Sequence, residues 1–120
     1  MSSNRIRLVL ALEVHNGKFP EFQKIVQQLV TVSEREVGTL SYAFFLSNDQ
    51  KHCRLIETYK DVAAITTHFK GPAVQQLVPQ LLTVASVALM EFCGDPGPEV
   101  TAMAAQFNPG IFQTWQGFDH

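Results

Sequence analysis

The stretch "IETYKDVAAITTHFKGPA", residues 56–73, holds the end of one structural element and the whole of the next. Its first residues finish the run "CRLIETY" (53–59), whose branched and aromatic side chains read as a strand. Asp61 is a good N-cap for a helix carrying Val62, Ile65 and Phe69 at helical spacing, and Gly71-Pro72 breaks that helix. His68 lies on the border of the apolar stripe, so the segment also raises a chemical question.

Working outward, "NDQKH" (48–52) is a polar connection of hairpin length that joins this strand to "TLSYAFFLS" (39–47). Upstream, "FPEFQKIVQQLVTVSEREVG" (19–38) places Phe22, Ile25, Val26, Leu29, Val32 and Ser33 on one helical stripe. Pro20 suits its first turn, Glu21 suits the helix dipole, and Gly38 is expected to supply a left-handed stop. "IRLVLALEV" (6–14), ending at the turn signal "HNGK", is a first strand. Downstream, Val74, Leu77, Val78, Leu81 and Leu82 restart helical spacing, Pro79 kinks the segment or begins a turn, and "SVALMEFCG" (86–94) is the last strand.

The order strand, helix, strand, strand, helix, strand predicts an α+β, ferredoxin-like βαββαβ fold: a four-stranded antiparallel sheet with two helices on one face. Leu8, Leu10, Leu12, Tyr42, Phe44, Leu55 and Tyr59 fall on one set of alternating positions. Val9, Ala11, Ala43, Phe45, Ile56, Met90 and Phe92 fall on others, so both sheet faces carry apolar side chains. A bare apolar face of that size predicts a partner sheet, hence a homodimer.

At 120 residues the chain suits one domain, and 46% hydrophobic against 17% charged residues agrees with a buried subunit interface. Net charge is -2 and the nine Lys and Arg are scattered singly, which excludes nucleic acid and membrane surfaces as expected partners. The beginning, "MSSNRIRLVLALEV", lacks the pattern of a signal peptide, and "LLTVASVALM" is too short to span a bilayer, so the expected location is cytoplasmic. Cys53 and Cys93 have no paired spacing and read as reduced structural thiols. Glu13 and His15 could both reach a metal, yet two ligands without further His or Cys make no site.

Residues 1–94 form the expected domain and 95–120 an extension, with a short helix near 99–107 followed by an aromatic arm bearing Phe107, Ile111, Phe112, Trp115 and Phe118. Such side chains are scarce in disordered tails, so the arm is expected to pack on the domain or on the partner subunit. A position beside the second helix would roof a cavity.

With "VGTLSYAFF" followed by the hairpin and "IETYKDVAAITTHFKGPAVQQL", the chain resembles the antibiotic biosynthesis monooxygenase domain family, a group of dimeric α/β barrels. Gly38, Leu40, Tyr42, Glu57, Tyr59, Asp61, His68 and Phe69 fit the family pattern in order, and the resemblance covers roughly residues 6–93. The family includes oxygenases, haem-degrading enzymes and an isomerase of a signalling sugar. Haem-degrading relatives carry an Asn in the first strand and a Trp and a His on the second helix; here the first strand has no Asn, and His68 and Val78 stand at the other two places. Haem degradation is disfavoured on that ground. The family's strand-end Trp is Tyr59 here, which adds a hydroxyl.

The resemblance implies an enzyme of the cofactor-independent monooxygenase type, without metal or flavin, acting on a small electron-rich aromatic, a phenol or quinol. Such a substrate donates electrons once deprotonated, so the protein must supply an apolar pocket, a proton acceptor and a hydrogen bond to the developing anion. His68 is the expected acceptor because imidazole titrates near neutral pH. Tyr42 and Tyr59 could orient a phenolic substrate, or simply pack their rings. Glu57, in mid-strand, needs a partner when buried, and Arg54 or Arg7 across the sheet is as good an expectation as a catalytic role. The alternative is a non-catalytic dimeric domain of the same fold that binds a small molecule.

Overall fold

The computed structural model describes residues 4–120; residues 1–3, the head of the segment read above as lacking a leader, lie outside them. The chain runs β1 (Ile6–Val14), α1 (Phe19–Glu34), β2 (Thr39–Leu46), β3 (His52–Tyr59), α2 (Val62–Lys70), a π-helical turn (Ala73–Leu77), α3 (Val78–Leu81), β4 (Ala85–Cys93), α4 (Pro98–Ala104), a 3-10 turn (Ala105–Phe107) and β5 (Gly110–Phe112). The first six principal elements are the expected βαββαβ order, and the fold is α+β and ferredoxin-like.

The described residues form a sheet of order β2-β3-β1-β4-β5. The first four strands are antiparallel; β5, from the extension, is added in parallel against β4 and corrects the four-stranded expectation. Register decides the faces. Leu8 stands beside Glu57 and Phe92, and Leu10 beside Leu55 and Met90. Met90 and Phe92 therefore belong with Leu8 and Leu10 under the helices, not with the opposite set. Leu12 continues the row beside Cys53 and, past a bulge, beside Val87.

Helix α1 turns Phe22, Ile25, Leu29 and Ser33 into this face, and α2 adds Ile65, His68 and Phe69. Leu8, Leu12, Leu29, Tyr59, Ile65 and Phe92 are fully buried there; each such apolar side chain stabilises the fold by about 1.5–3 kcal/mol. Asp61 caps α2 as expected, its carboxylate accepting the Ala64 N–H at 2.9 Å. Gly38 has a different role from the one expected. Helix α1 ends through a right-handed Arg35, and a Cβ on Gly38 would lie 2.4 Å from the Ala64 Cβ, so glycine is required where the chain enters β2 beside α2.

The opposite face carries Val9, Ala11, Ala43, Phe45, Ile56 and Leu89, of which Phe45 is 56% exposed. In the extension, Gly94 and Gly97 take positive φ and turn the chain into α4, which packs on α2 and is tied to it by Lys70 and Glu99 at 2.5 Å. Beyond β5, Asp119 pairs with Arg7 at 2.7 Å, while Trp115 and Phe118 are 87% and 80% exposed. Both cysteines are free thiols. Among the described residues no helix is long and apolar enough to cross a membrane.

Candidate active site

Between the sheet and its helices lies a cavity of about 550 Å³, within the size range of small-molecule sites. Leu8, Leu10, Leu12 and Leu55 form its floor, Phe69, Val74 and Val78 part of its roof, and Met103, Gln106 and Phe107 of the extension close a wall. The break at Gly71-Pro72 positions that roof. It turns α2 into the π turn and α3, with Pro79 at the start of α3, so Val74 and Val78 reach the cavity.

Three of the four expected site residues line this cavity: Tyr42 from β2, Glu57 from β3 and His68 from α2. Tyr42 and Glu57 are direct partners across the β2–β3 ladder, which brings both side chains to the same face. Tyr59, two residues after Glu57 on the same strand face, is fully buried and donates its hydroxyl to Glu57 Oε1. It stands behind the carboxyl rather than on the cavity wall. The arginines expected as partners of Glu57 are elsewhere: the register sets Arg7 opposite Thr58 and Arg54 opposite Ala11 and Phe45, on the bare face.

His68 is only 2% exposed, not a helix-edge side chain in water. Its Nδ1 lies 2.7 Å from Glu36 Oε1 and its Nε2 3.8 Å from Glu57 Oε1. Its ring also lies 5.3 Å from that of Tyr59 and 5.5 Å from that of Tyr42. Glu36 is the functional residue that sequence reasoning missed. It sits in the polar segment between α1 and β2, and the Thr39 hydroxyl donates to the same Oε1 at 2.7 Å. Nothing in "SEREVG" marks it, because its partner is 32 residues away.

The two carboxyls are driven apart. Burial raises Glu36, but the hydrogen bonds from His68 and Thr39, with the nearby imidazole charge, hold it below its ordinary value. Glu57 is pushed up to about 7 by burial, partly offset by the charge of His68 and the hydrogen bond of Tyr59. An ionised Glu36 accepts only, so Nδ1 carries a proton, and in the neutral imidazole Nε2 is the acceptor on the side of Glu57. Burial, and then the charge of Glu57, raise the Tyr42 and Tyr59 phenols above their usual range, so both are hydrogen-bond donors at neutral pH. Ser33 Oγ is buried without a hydrogen bond of ordinary geometry, although it lies near enough to Tyr42 to ease that shift. The site thus joins one proton acceptor to neutral donors at one end of a largely hydrocarbon chamber.

Glu13 and His15 do not converge. Glu13 pairs with His52 and His15 with Ser86, and no group of three His, Cys, Asp or Glu among the described residues is placed to hold a metal.

Among solved structures, MupZ from Pseudomonas fluorescens superposes with a TM-score of 0.85 at 17% identity, over 100% of this chain and 92% of that one. The cofactor-independent oxygenase SnoaB from Streptomyces nogalater, as its N63A mutant, gives 0.68 at 14% identity, over 80% of this chain and 97% of its own. Rv0793 from Mycobacterium tuberculosis gives 0.68 at 17% identity, over 78% and 97%. At these identities the likeness is one of fold. No curated protein matches the chain in sequence. The model of the antibiotic biosynthesis monooxygenase family, however, matches residues 5–80, well over half of the chain, and the protein belongs to that family.

Proposed function

We propose that this protein is a cofactor-independent, monooxygenase-like enzyme acting on a small electron-rich aromatic, a phenol or quinol, with His68 as the proton acceptor. One observation carries the reading: a buried imidazole whose Nδ1 is held by Glu36 turns its Nε2 toward Glu57 in a chamber lined chiefly by hydrocarbon. The phenolic proton passes to Nε2, and Glu36 balances the imidazolium that forms. Neutral Glu57 and the Tyr42 hydroxyl donate to the phenolate oxygen, and Tyr59 holds Glu57 in place. The ring anion then gives electrons to dioxygen; a ring C–H carbon becomes C=O with one oxygen atom, the other leaves as water with the ring and phenolic hydrogens, and the substrate supplies all four electrons.

Oxygen uptake with a panel of anthrones, naphthols and quinols tests the reading. Uptake by the unmodified protein and its collapse in His68→Ala is the expected result; silence across the panel points to the non-catalytic binding domain. A second reading is favoured by the neutral Glu57 carboxyl beside a basic nitrogen. Such an acid–base pair also suits a redox-neutral proton transfer, which would exchange substrate hydrogens with deuterated solvent without consuming oxygen.

The active unit is a homodimer in this proposal, with Phe45, Ile56 and Leu89 of the bare sheet face covered by a second copy. Their exposure of 56%, 38% and 45% supports it. Trp115 and Phe118 are likewise uncovered by their own domain, at 87% and 80% exposure. Sedimentation is expected to show a dimer at micromolar concentration, and Phe45→Lys to shift it to monomer or aggregate. A folded monomer of the unmodified protein would refute the pairing.

A further inference from the structure

The cavity's charge and shape narrow the ligand beyond the aromatic class, and this step rests on the catalytic reading only in using the same site. We infer that the chamber selects an uncharged, elongated, chiefly hydrocarbon ligand with an oxygen function at Glu57 and its far end against Met103 and Phe107 of the C-terminal extension.

Charge gives the first part. Among the described residues lining the chamber there is no Lys or Arg, and the titratable ones are Tyr42, Glu57 and His68. The positive charge that His68 can carry is already matched by Glu36 at 2.7 Å, and Glu57 adds a negative charge above about pH 7. A carboxylate, sulfate or phosphate brought to this end would lose its water without gaining a free cation. A neutral hydroxyl or carbonyl loses little and meets donors and an acceptor.

Topology gives the second part. The polar groups of the sheet come from β2 and β3, whereas the 3-10 turn bearing Gln106 and Phe107 packs on β4, two strands from β3 in the order β3-β1-β4. Two strand spacings set a ligand length of roughly 10 Å. The floor between is Leu8, Leu10 and Met90; away from the Glu57 end the polar side chains of the described lining are the neutral Gln75, whose amide already donates to the Phe69 carbonyl, and Gln106 on the far wall. The far wall comes from residues beyond the 5–80 span that defines the family, so the extension sets the length the chamber accepts.

Calorimetric titration of the whole protein with para-butylphenol and para-butylbenzoate at about pH 8 tests this, since the phenol is neutral there and the acid ionised. The phenol is expected to bind at least about tenfold more tightly. Glu57→Gln should tighten the benzoate by roughly tenfold, because the anion no longer meets a second carboxylate, and so narrow the gap between the two compounds. Phe107→Trp should weaken para-butylphenol but not phenol itself, with circular dichroism confirming that each variant is folded. Equal or tighter binding of the benzoate, an unchanged gap in Glu57→Gln, or no binding of either compound would overturn the inference. Selective binding without oxygen consumption or proton exchange would support it while defeating the catalytic reading, so the two fail separately.

Discussion

Two glutamate–histidine hydrogen bonds occur among the described residues, and they differ in nearly everything except their residue types. Glu13 and His52 face each other across the β1–β3 ladder on the bare face, with side chains 43% and 53% exposed. Glu36 and His68 meet under the helices at 16% and 2%. In water the first pair trades one hydration shell for one ion contact and contributes less than about 1 kcal/mol. The second is desolvated and shares its imidazole with a second carboxyl, so each proton position is coupled to the others. The same chemistry becomes a site only where the fold removes water.

The largest effect should come from removing the buried imidazole. His68→Ala leaves the buried Glu57 and the half-buried Glu36 without their common partner, which should cost about 3 kcal/mol in denaturant unfolding. It should also lower turnover of any identified substrate by a factor on the order of 10². Because both quantities fall, His68→Gln is the sharper companion: an amide that keeps one hydrogen bond should recover part of the stability and none of the turnover. A His68→Gln variant with full activity would remove the imidazole from the mechanism.

The sequence reveals these two pairs unequally, for a physical reason. Strand and helix periods are local, so the βαββαβ order, the Asp61 cap and the break at Gly71-Pro72 are legible from residues a few positions apart. His68 is noticeable because it borders an apolar stripe. Glu36 is not, since it lies in a polar helix exit and acquires meaning only when the fold brings α2 beside it. Register is likewise non-local: Met90 and Phe92 sort to the covered face only once Leu10 is paired with Met90. The arginines expected for Glu57 fail by parity, because Arg54 lies three residues away on its strand and so points to the other face. Strand β5 has three residues and no alternation to show; it exists because the extension docks along β4.

The next effect in size is a pH dependence carried chiefly by Glu57. Its carboxyl titrates at about 7 in the folded chain against 4.5 in the unfolded one. Between those values the folded state holds more protons, so stability is highest below about pH 4.5 and falls as pH rises to about 7, by about 3 kcal/mol at most. Glu57→Gln should flatten this slope in unfolding curves taken across the window. Glu36 works in the opposite sense, its stabilising contribution being lost only as pH falls below 4.5. In turnover, the neutral donor disappears through the same titration, giving a falling limb near pH 7 that Glu57→Gln should abolish. A slope that survives in the variant would mean that another group titrates there.

Smaller still is Glu36→Gln, which keeps the packing and one hydrogen bond to Nδ1 but removes the charge that balances imidazolium. A loss of about 1–2 kcal/mol is expected, with turnover down roughly tenfold. The decisive measurement is nitrogen NMR of His68 in the free protein. The carboxylate fixes the proton on Nδ1, and the amide, able to donate as well as accept, should let the other tautomer appear. An unchanged tautomer would leave Glu36 as packing only.

The smallest effect is expected at the exposed pair, and it is the control on which the comparison depends. His52→Ala removes an imidazole bonded to Glu13, with nearly the same bond types as His68. Here, however, water replaces the lost partner, because both side chains are about half exposed. Stability should therefore change by less than about 0.5 kcal/mol, and what change there is should shrink further in 1 M salt, where charges beyond roughly 3 Å are screened. The Glu57 pH slope and any turnover should be untouched. The bare face carries one qualification that can itself be measured. If a second copy covers Phe45 and Ile56, His52 stands beside that interface, and the variant's effect would then depend on protein concentration. A loss of several kcal/mol independent of concentration would contradict the claim that burial, rather than residue type, separates the two pairs.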